Sequence, residues 1–299
     1  MTGILVLGKN GQVGRELAQC LDAAKTVHTL GRAELDLSDP DAIRNLLRTL
    51  KPKIVINAAA FTAVDDAEAK PAEAMAINRD APAVIARELK AWRGALIHYS
   101  TDYVFDGRRS SPYAENDVPA PINTYGRSKL AGEQAISGAG GAYVILRTGW
   151  VYSAAGNNFC RTVWRLATQQ KELRMADDQT GSPTWARTVA RVTRTLIESY
   201  GEQIRDAHDI FHLAGAGAAS RYAFAAEILK LLSLRYGVHA VKAKRITAVS
   251  SSEFKTPAAR PRYSALSAGK LQSTFGIELR PWQQDLAEFV ASAPDATWA

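Results

Sequence analysis

The sequence predicts an α/β protein: a doubly wound parallel sheet with a smaller lobe toward the carboxyl end. Three observations predict it. Apolar runs of strand length alternate with helix-length segments without interruption as far as Arg147. The first run leads straight into a glycine-rich turn that opens a helix. Small or hydroxylated residues, Ala58-Ala59-Ala60 and Ser100-Thr101, end two later runs, at the sheet edge where doubly wound folds bind ligands.

Residues 3–7 are the first expected strand, Gly8-Lys9-Asn10-Gly11-Gln12-Val13-Gly14 the turn, and 15–21 the helix. Residues 26–30 form a second strand, closed by Gly31-Arg32. Asp39-Pro40, a capping carboxylate before a proline suited to a first helical turn, opens a helix to about residue 50. A third strand covers 53–57, a loop runs through Asp65, and one long helix is expected over 71–89. Then come a strand over 95–100, a loop rich in proline and acid over 112–123, a helix over 125–136 and a strand over 143–147. After Trp150 the alternation loosens. Helices are expected over 158–169, 188–198, 220–232 and 282–291, with turn chemistry over 178–184 and a last strand over 210–213. The expected division is residues 1–149, with roughly 186–214 returning to the sheet, and a lobe from 150–185 and 215–299.

The totals narrow the classes. A chain of 299 residues, 46% hydrophobic and 22% charged, is ordinary globular material with enough length for a sizeable core. No window reaches the roughly 20 apolar residues of a membrane span, and no signal peptide precedes the first strand. Cys20 and Cys160 fit no metal spacing, which favours a reducing, cytoplasmic setting. Lys and Arg number 37 against 30 acids. The excess gathers at Lys242, Lys244, Arg245, Lys255, Arg260 and Arg262 without an interleaved aromatic stacking series, so an anionic small ligand is favoured over nucleic acid.

The chemistry centres on Tyr125 and Lys129, four residues apart on an expected helix and hence on one face of it. An ammonium beside a phenol favours the phenolate, which suits a tyrosine that exchanges protons with a substrate near neutral pH. Gly8, Gly11 and Gly14 let the backbone approach a diphosphate seated at the helix N-terminus. The second strand ends in Arg32, not in a carboxylate for a ribose 2′-hydroxyl, and a guanidinium there pairs a 2′-phosphate. NADPH is therefore expected, with NADH as the alternative. Asp36 is either an adenine contact or simply part of its loop.

Taken together, the glycine turn, Asn57-Ala58-Ala59-Ala60, Ser100-Thr101-Asp102-Tyr103-Val104-Phe105-Asp106-Gly107 and Tyr125-x-x-x-Lys129 resemble the extended short-chain dehydrogenase/reductase superfamily, with its Rossmann-like fold. Within it they are similar to the dTDP-4-dehydrorhamnose reductase family. Ala63-Val64-Asp65, Arg147 to Tyr152, Gly156-Asn157-Asn158-Phe159, Asp178-Gln179-x-Gly181-x-Pro183-Thr184, Pro257 to Leu266 and Trp282-Gln283 extend the likeness over nearly the whole chain. The resemblance implies NADPH-dependent reduction of the 4-keto group of a dTDP-linked 6-deoxy sugar. Tyr125 would protonate the sugar oxygen, Lys129 would hold the nicotinamide ribose and depress the tyrosine's pKa, and Thr101 would bond the carbonyl oxygen. Gly11, Gln12, Val13, Asp36, Leu37, Ala60, Phe61, Thr62 and Tyr99 fall at cofactor-contact positions, beside Ala58 and Ala59; Asp102 and Trp150 fall at substrate contacts.

The chain also departs from the family. Phe61 stands where relatives often carry a polar-tipped ring, and Ala259 where they often carry the first of two arginines, leaving Arg260 for the nucleotide diphosphate. Some members dimerise through magnesium held by glutamates. Glu16 matches one such position but Arg187 stands at another, so no metal is expected; a homodimer stays among the expectations. The alternatives are an epimerase or dehydratase of the same fold and a non-catalytic regulatory subunit. Thr101 is followed by Asp102-Tyr103, without the adjacent Asp-Glu of those enzymes, and the Thr–Tyr–Lys set is retained; both favour simple reduction.

Overall fold

Four consecutive apolar residues with no polar partner face cannot form a one-sided strand. Ile4–Leu7 (β1) is accordingly buried on both faces, as an interior strand of a parallel sheet. The structure, a computed structural model, describes residues 3–21 and 27–298. The other central strands are Val27–Leu30 (β2), Ile54–Asn57 (β3), Ala95–Thr101 (β4), Ala142–Thr148 (β5) and His208–His212 (β6). The expected start of β2 at Thr26 lies outside the described residues. The sheet order is β6-β5-β4-β3-β1-β2, and every neighbouring pair is parallel.

The order reverses between β1 and β3, the switch point at which such sheets open a crevice. In register, Leu7 faces Leu30 on one side and Asn57 on the other, so Gly8 and Ala58 leave the sheet side by side. One face is covered by helices Gln12–Leu21 and Ala186–Arg205 through Leu17, Leu21, Val189 and Leu196. The other is covered by Pro40–Leu50, Ala81–Lys90 and Thr124–Ala139 through Ile43, Leu47, Ile85, Leu89 and Ile136. Each such fully buried side chain contributes about 1.5–3 kcal/mol. Asp39 caps its helix as expected, accepting from Asp41 N at 2.9 Å and Ala42 N at 3.0 Å.

Three differences from expectation bear on the site. The helix expected over 71–89 is interrupted: Pro71–Met75 passes into a π-helical turn, Ala76–Asp80, before Ala81–Lys90 resumes. The loop after β3 contains a short helix, Val64–Ala69. Beyond Trp150, Glu172–Ala176 pairs in parallel with Arg245–Val249, two strands that the pattern did not reveal. These strands lie with helices Phe159–Gln169, Arg221–Tyr236 and Trp282–Ser292 around an aromatic core of Tyr152, Trp164, Trp185, Phe224, Trp282 and Phe289. The helix Gly269–Phe275 does not join them: Leu271 and Phe275 pack into the core of the sheet.

Candidate active site

A cleft of about 870 Å³ opens along the carboxyl ends of β1 to β5. Its cofactor end is shaped by glycines. Gly8 has φ +89°, and a Cβ there would sit 2.7 Å from Ala59 N. A Cβ on Gly14 would lie 2.0 Å from the carbonyl oxygen of Gly8. Neither position accepts a side chain, so the first turn of helix Gln12–Leu21 presses onto the end of β1 with its N–H groups facing an anion site. This cradle fits a dinucleotide diphosphate. Arg32, Asp36, Leu37, Ala58, Ala59, Ala60, Phe61 and Thr62 line the same cleft.

Arg32 is exposed and among the described residues makes no ion pair. A carboxylate does reach this turn. Glu34 accepts from Gly31 N at 2.8 Å and pairs with Lys9 at 2.5 Å, but it does not line the cleft. Asp36 accepts from the amide and hydroxyl of Ser38, which hold its carboxyl below the usual carboxylate range. Gln12 turns its amide to the lobe, accepting from Ser153 Oγ and Asn158 Nδ2 at 3.1 Å each. Tyr99 offers only its backbone: its ring is buried and its hydroxyl lies 2.6 Å from Thr193 Oγ1.

The reacting end is built on β4 and helix Thr124–Ala139. Asn123 caps that helix, accepting from Gly126 N at 2.7 Å, and a Cβ on Gly126 would meet Tyr103 O at 2.1 Å. The helix start is thereby brought against the end of β4, with Tyr125 in the cleft beside Thr101. The Tyr125 and Tyr103 rings meet edge to face, centroids 5.9 Å apart. Asp102 is buried and accepts from Ser264 Oγ at 2.6 Å and Thr101 Oγ1 at 3.1 Å; burial pushes its carboxyl up to about 6. A Cβ on Gly149 would lie 2.6 Å from that carboxyl, which is why the chain turns there on glycine.

The expectation for Lys129 changes. Its Nζ donates to Tyr99 O at 2.6 Å and lies 3.1 Å from His98 Nε2, with burial lowering its pKa to about 8. Tyr125 is not depressed by it: burial raises the phenol, and the Thr101 side chain opposes the rise. In this arrangement the desolvation of the phenol exceeds any Coulombic help from the lysine.

Arg260 also differs from expectation. Its guanidinium forks onto Asp65 at 3.0 and 2.6 Å, and it does not line the cleft. That pair ties the segment after Pro257 to the helix after β3, and Asn123 Nδ2 donates to Ala259 O at 2.8 Å in the same contact. Trp150 lines the cleft with φ +48°, a left-handed backbone rare for a bulky residue. The carbon of the Arg221 guanidinium lies 3.5 Å from the centroid of the Trp150 ring. Arg221 lines the cleft too, beside Tyr103, and has no ion-pair partner among the described residues. Glu16 pairs with Arg187 at 2.9 Å, and no group of three or more potential metal ligands occurs among the described residues.

With this geometry in view, comparison with known proteins decides the family. The family described as RmlD substrate binding domain matches residues 1–294. The chain belongs to that family. A dTDP-4-dehydrorhamnose reductase of Burkholderia thailandensis is 43% identical over 283 residues, covering 94% of this chain and 95% of the relative. The crystal structure of a dTDP-4-dehydrorhamnose reductase from Clostridium acetobutylicum superimposes with a TM-score of 0.87 at 35% identity, covering 97% of this chain and 98% of the other. A dTDP-4-dehydrorhamnose reductase from Bacillus anthracis, in complex with NADP, gives 0.86 at 30% identity, covering 97% and 99%.

Three residues of this RmlD family member contribute to the site without having stood out in its sequence. Asn78, in the π turn, accepts from Phe61 N at 2.8 Å and donates to Phe61 O at 3.0 Å and Ser128 Oγ at 2.9 Å, pinning the loop after β3 to the Tyr–Lys helix. Gly132 lets this π turn press onto the helix: a Cβ there would meet Asn78 O at 2.1 Å. Arg221 follows Ser220, which caps the helix by accepting from Ala223 N; that serine was the available signal. His98 carries no local signal, lying inside an apolar strand.

Proposed function

We propose that this chain reduces the 4-keto group of dTDP-4-dehydro-6-deoxy-L-mannose with NADPH, giving dTDP-L-rhamnose. The observation that carries it is the meeting of Thr101, Tyr125 and Lys129 in one cleft whose other end is the glycine cradle with Arg32. NADPH, when bound, supplies the hydride. Tyr125 keeps its proton because its surroundings disfavour the phenolate, so it stands ready to donate to the oxygen as negative charge develops there. Thr101 Oγ1 already donates to Asp102 and accepts from Tyr103 N at 3.1 Å, which fixes its hydroxyl at the strand end. When a carbonyl oxygen is bound there, the hydroxyl would turn its one proton from Asp102 to that oxygen and steady the developing charge.

The same cleft is lined by Trp150 stacked on Arg221. We assign the substrate diphosphate to Arg221 rather than to Arg260, because Arg221 lines the cleft beside Trp150 and pairs with no carboxylate among the described residues, whereas Arg260 is held by Asp65 outside it. Substrate and coenzyme of this kind belong to the cytoplasm, where we place the reaction. The test is to mix the protein with NADPH and freshly made dTDP-4-keto-6-deoxy-L-sugar, following reduced-nicotinamide absorbance and the sugar product. Stoichiometric oxidation with formation of dTDP-rhamnose is expected; no oxidation overturns the proposal.

A further inference from the structure

His98 lies on β4 with no accessible surface, between Asn57 of β3 and Lys129. The hydrogen bonds around it admit only one assignment of protons. Ala59 N–H donates to Asn57 Oδ1 at 3.2 Å, and an amide nitrogen cannot accept, so the Asn57 side chain has one orientation. Its Nδ2 then donates to His98 Nδ1 at 3.1 Å, which must be a lone-pair acceptor. Burial holds the imidazole neutral. The single ring proton is therefore on Nε2, which points at Lys129 Nζ 3.1 Å away. An ammonium has no lone pair to receive it; a neutral amine has one, and still has hydrogens for Tyr99 O at 2.6 Å.

We propose that His98 is a positioning residue for Lys129: held as its Nε2–H tautomer by Asn57 and the Ala59 amide, it favours the amine form of the lysine and fixes where Nζ sits. This rests on the reading of Tyr125 and Lys129 as the reactive pair. It goes beyond that reading by linking the lysine's proton to a loop, Ala58 to Thr62, that lines the cofactor end of the cleft. The other ionisable groups near Lys129 do not replace this role. Glu133, on its own helix, favours the ammonium but is engaged by Arg147 of β5 at 2.9 and 2.7 Å and by Ser100 of β4. Tyr125 stands one turn earlier, and the Tyr99 hydroxyl is turned away to Thr193.

Two measurements test it. In wild-type protein labelled with ¹⁵N-histidine, the signal that disappears in His98→Gln should report a neutral ring protonated on Nε2. A ring protonated on Nδ1 overturns the proposal, whatever the activity. In the reductase assay, the alkaline limb of kcat/KM, where Lys129 loses its proton, should rise by about one pH unit in His98→Asn, whose shorter amide meets Asn57 but not Lys129. His98→Gln, whose amide reproduces the Nε2–H, should restore the wild-type limb. An unmoved limb in His98→Asn, or an equal shift in both variants, overturns it. The nuclear magnetic resonance reading needs no substrate. An inactive protein with the Nε2–H tautomer would refute the proposed reaction alone, and an active one with the Nδ1–H tautomer this inference alone.

Discussion

The sheet half of the cleft and the lobe half are built by different means. On the sheet side the backbone makes the site: Gly8 and Gly14 admit no side chain, Ala58 to Ala60 leave room, and β1 and β3 part at the switch point. On the lobe side the site is made mainly of side chains, Trp150 on Arg221 and Phe159 stacked on Phe224, and among the described residues lining it Trp150 is the one non-glycine with left-handed backbone. A backbone site suits a ligand part that is always the same, and a side-chain site suits the part that distinguishes one substrate from another. Changes on the two sides should separate into cofactor effects and substrate effects.

The largest effect falls where the halves meet. Tyr125→Phe removes the proton donor without emptying the cleft, and kcat should fall roughly 10²–10⁴-fold while NADPH affinity stays near wild type. Stopped-flow reduction and a fluorescence titration of NADPH check the two parts. Equal loss of both would mean that Tyr125 holds the cofactor rather than the proton.

The next concerns Asp102, behind Thr101. Its folded pKa, about 6, lies above the ordinary aspartate value of 3.8. Below pH 4 the carboxyl is protonated in both folded and unfolded chains. Between those values the folded state holds the extra proton, so stability falls as pH rises, and above pH 6 the full penalty, about 3 kcal/mol, is present. Asp102→Asn should flatten this part of the stability curve, measured by urea unfolding from pH 4 to 7. A wild-type slope retained in the variant would place the titration elsewhere.

The smallest effect sharpens the cofactor side. Arg32→Ala should cost roughly tenfold in kcat/KM with NADPH and little with NADH, as expected for a single charged hydrogen-bonding pair. Equal losses with both cofactors would remove Arg32 from the 2′-phosphate.

The same contrast explains how much of the molecule is legible in the sequence. Gly8, Ala58 to Ala60 and the Tyr125–Lys129 spacing can be read because local backbone rules govern the turn at a strand's end and the shared face of a helix. The six sheet strands and their alternation with helices are legible for that reason. Asn78 is not, because its value lies in a π turn inside a segment that scans as ordinary helix. Nor is Arg221, since its neighbours Trp150 and Tyr103 lie 71 and 118 residues away along the chain. Arg260 misleads for a related reason: a basic cluster announces charge, but not that Asp65, nearly 200 residues earlier, has already neutralised it. Lys129 is legible in place but not in effect, because spacing does not reveal how far burial outweighs a neighbouring charge.

The division of labour is tested most directly by calorimetric titration of wild type and Arg221→Ala with NADPH and, separately, with dTDP. NADPH should bind both proteins with the same Kd, while dTDP should bind the variant about 10–100-fold more weakly, the worth of one charge-assisted contact. Unchanged dTDP binding, or a matching loss of NADPH, would contradict the account.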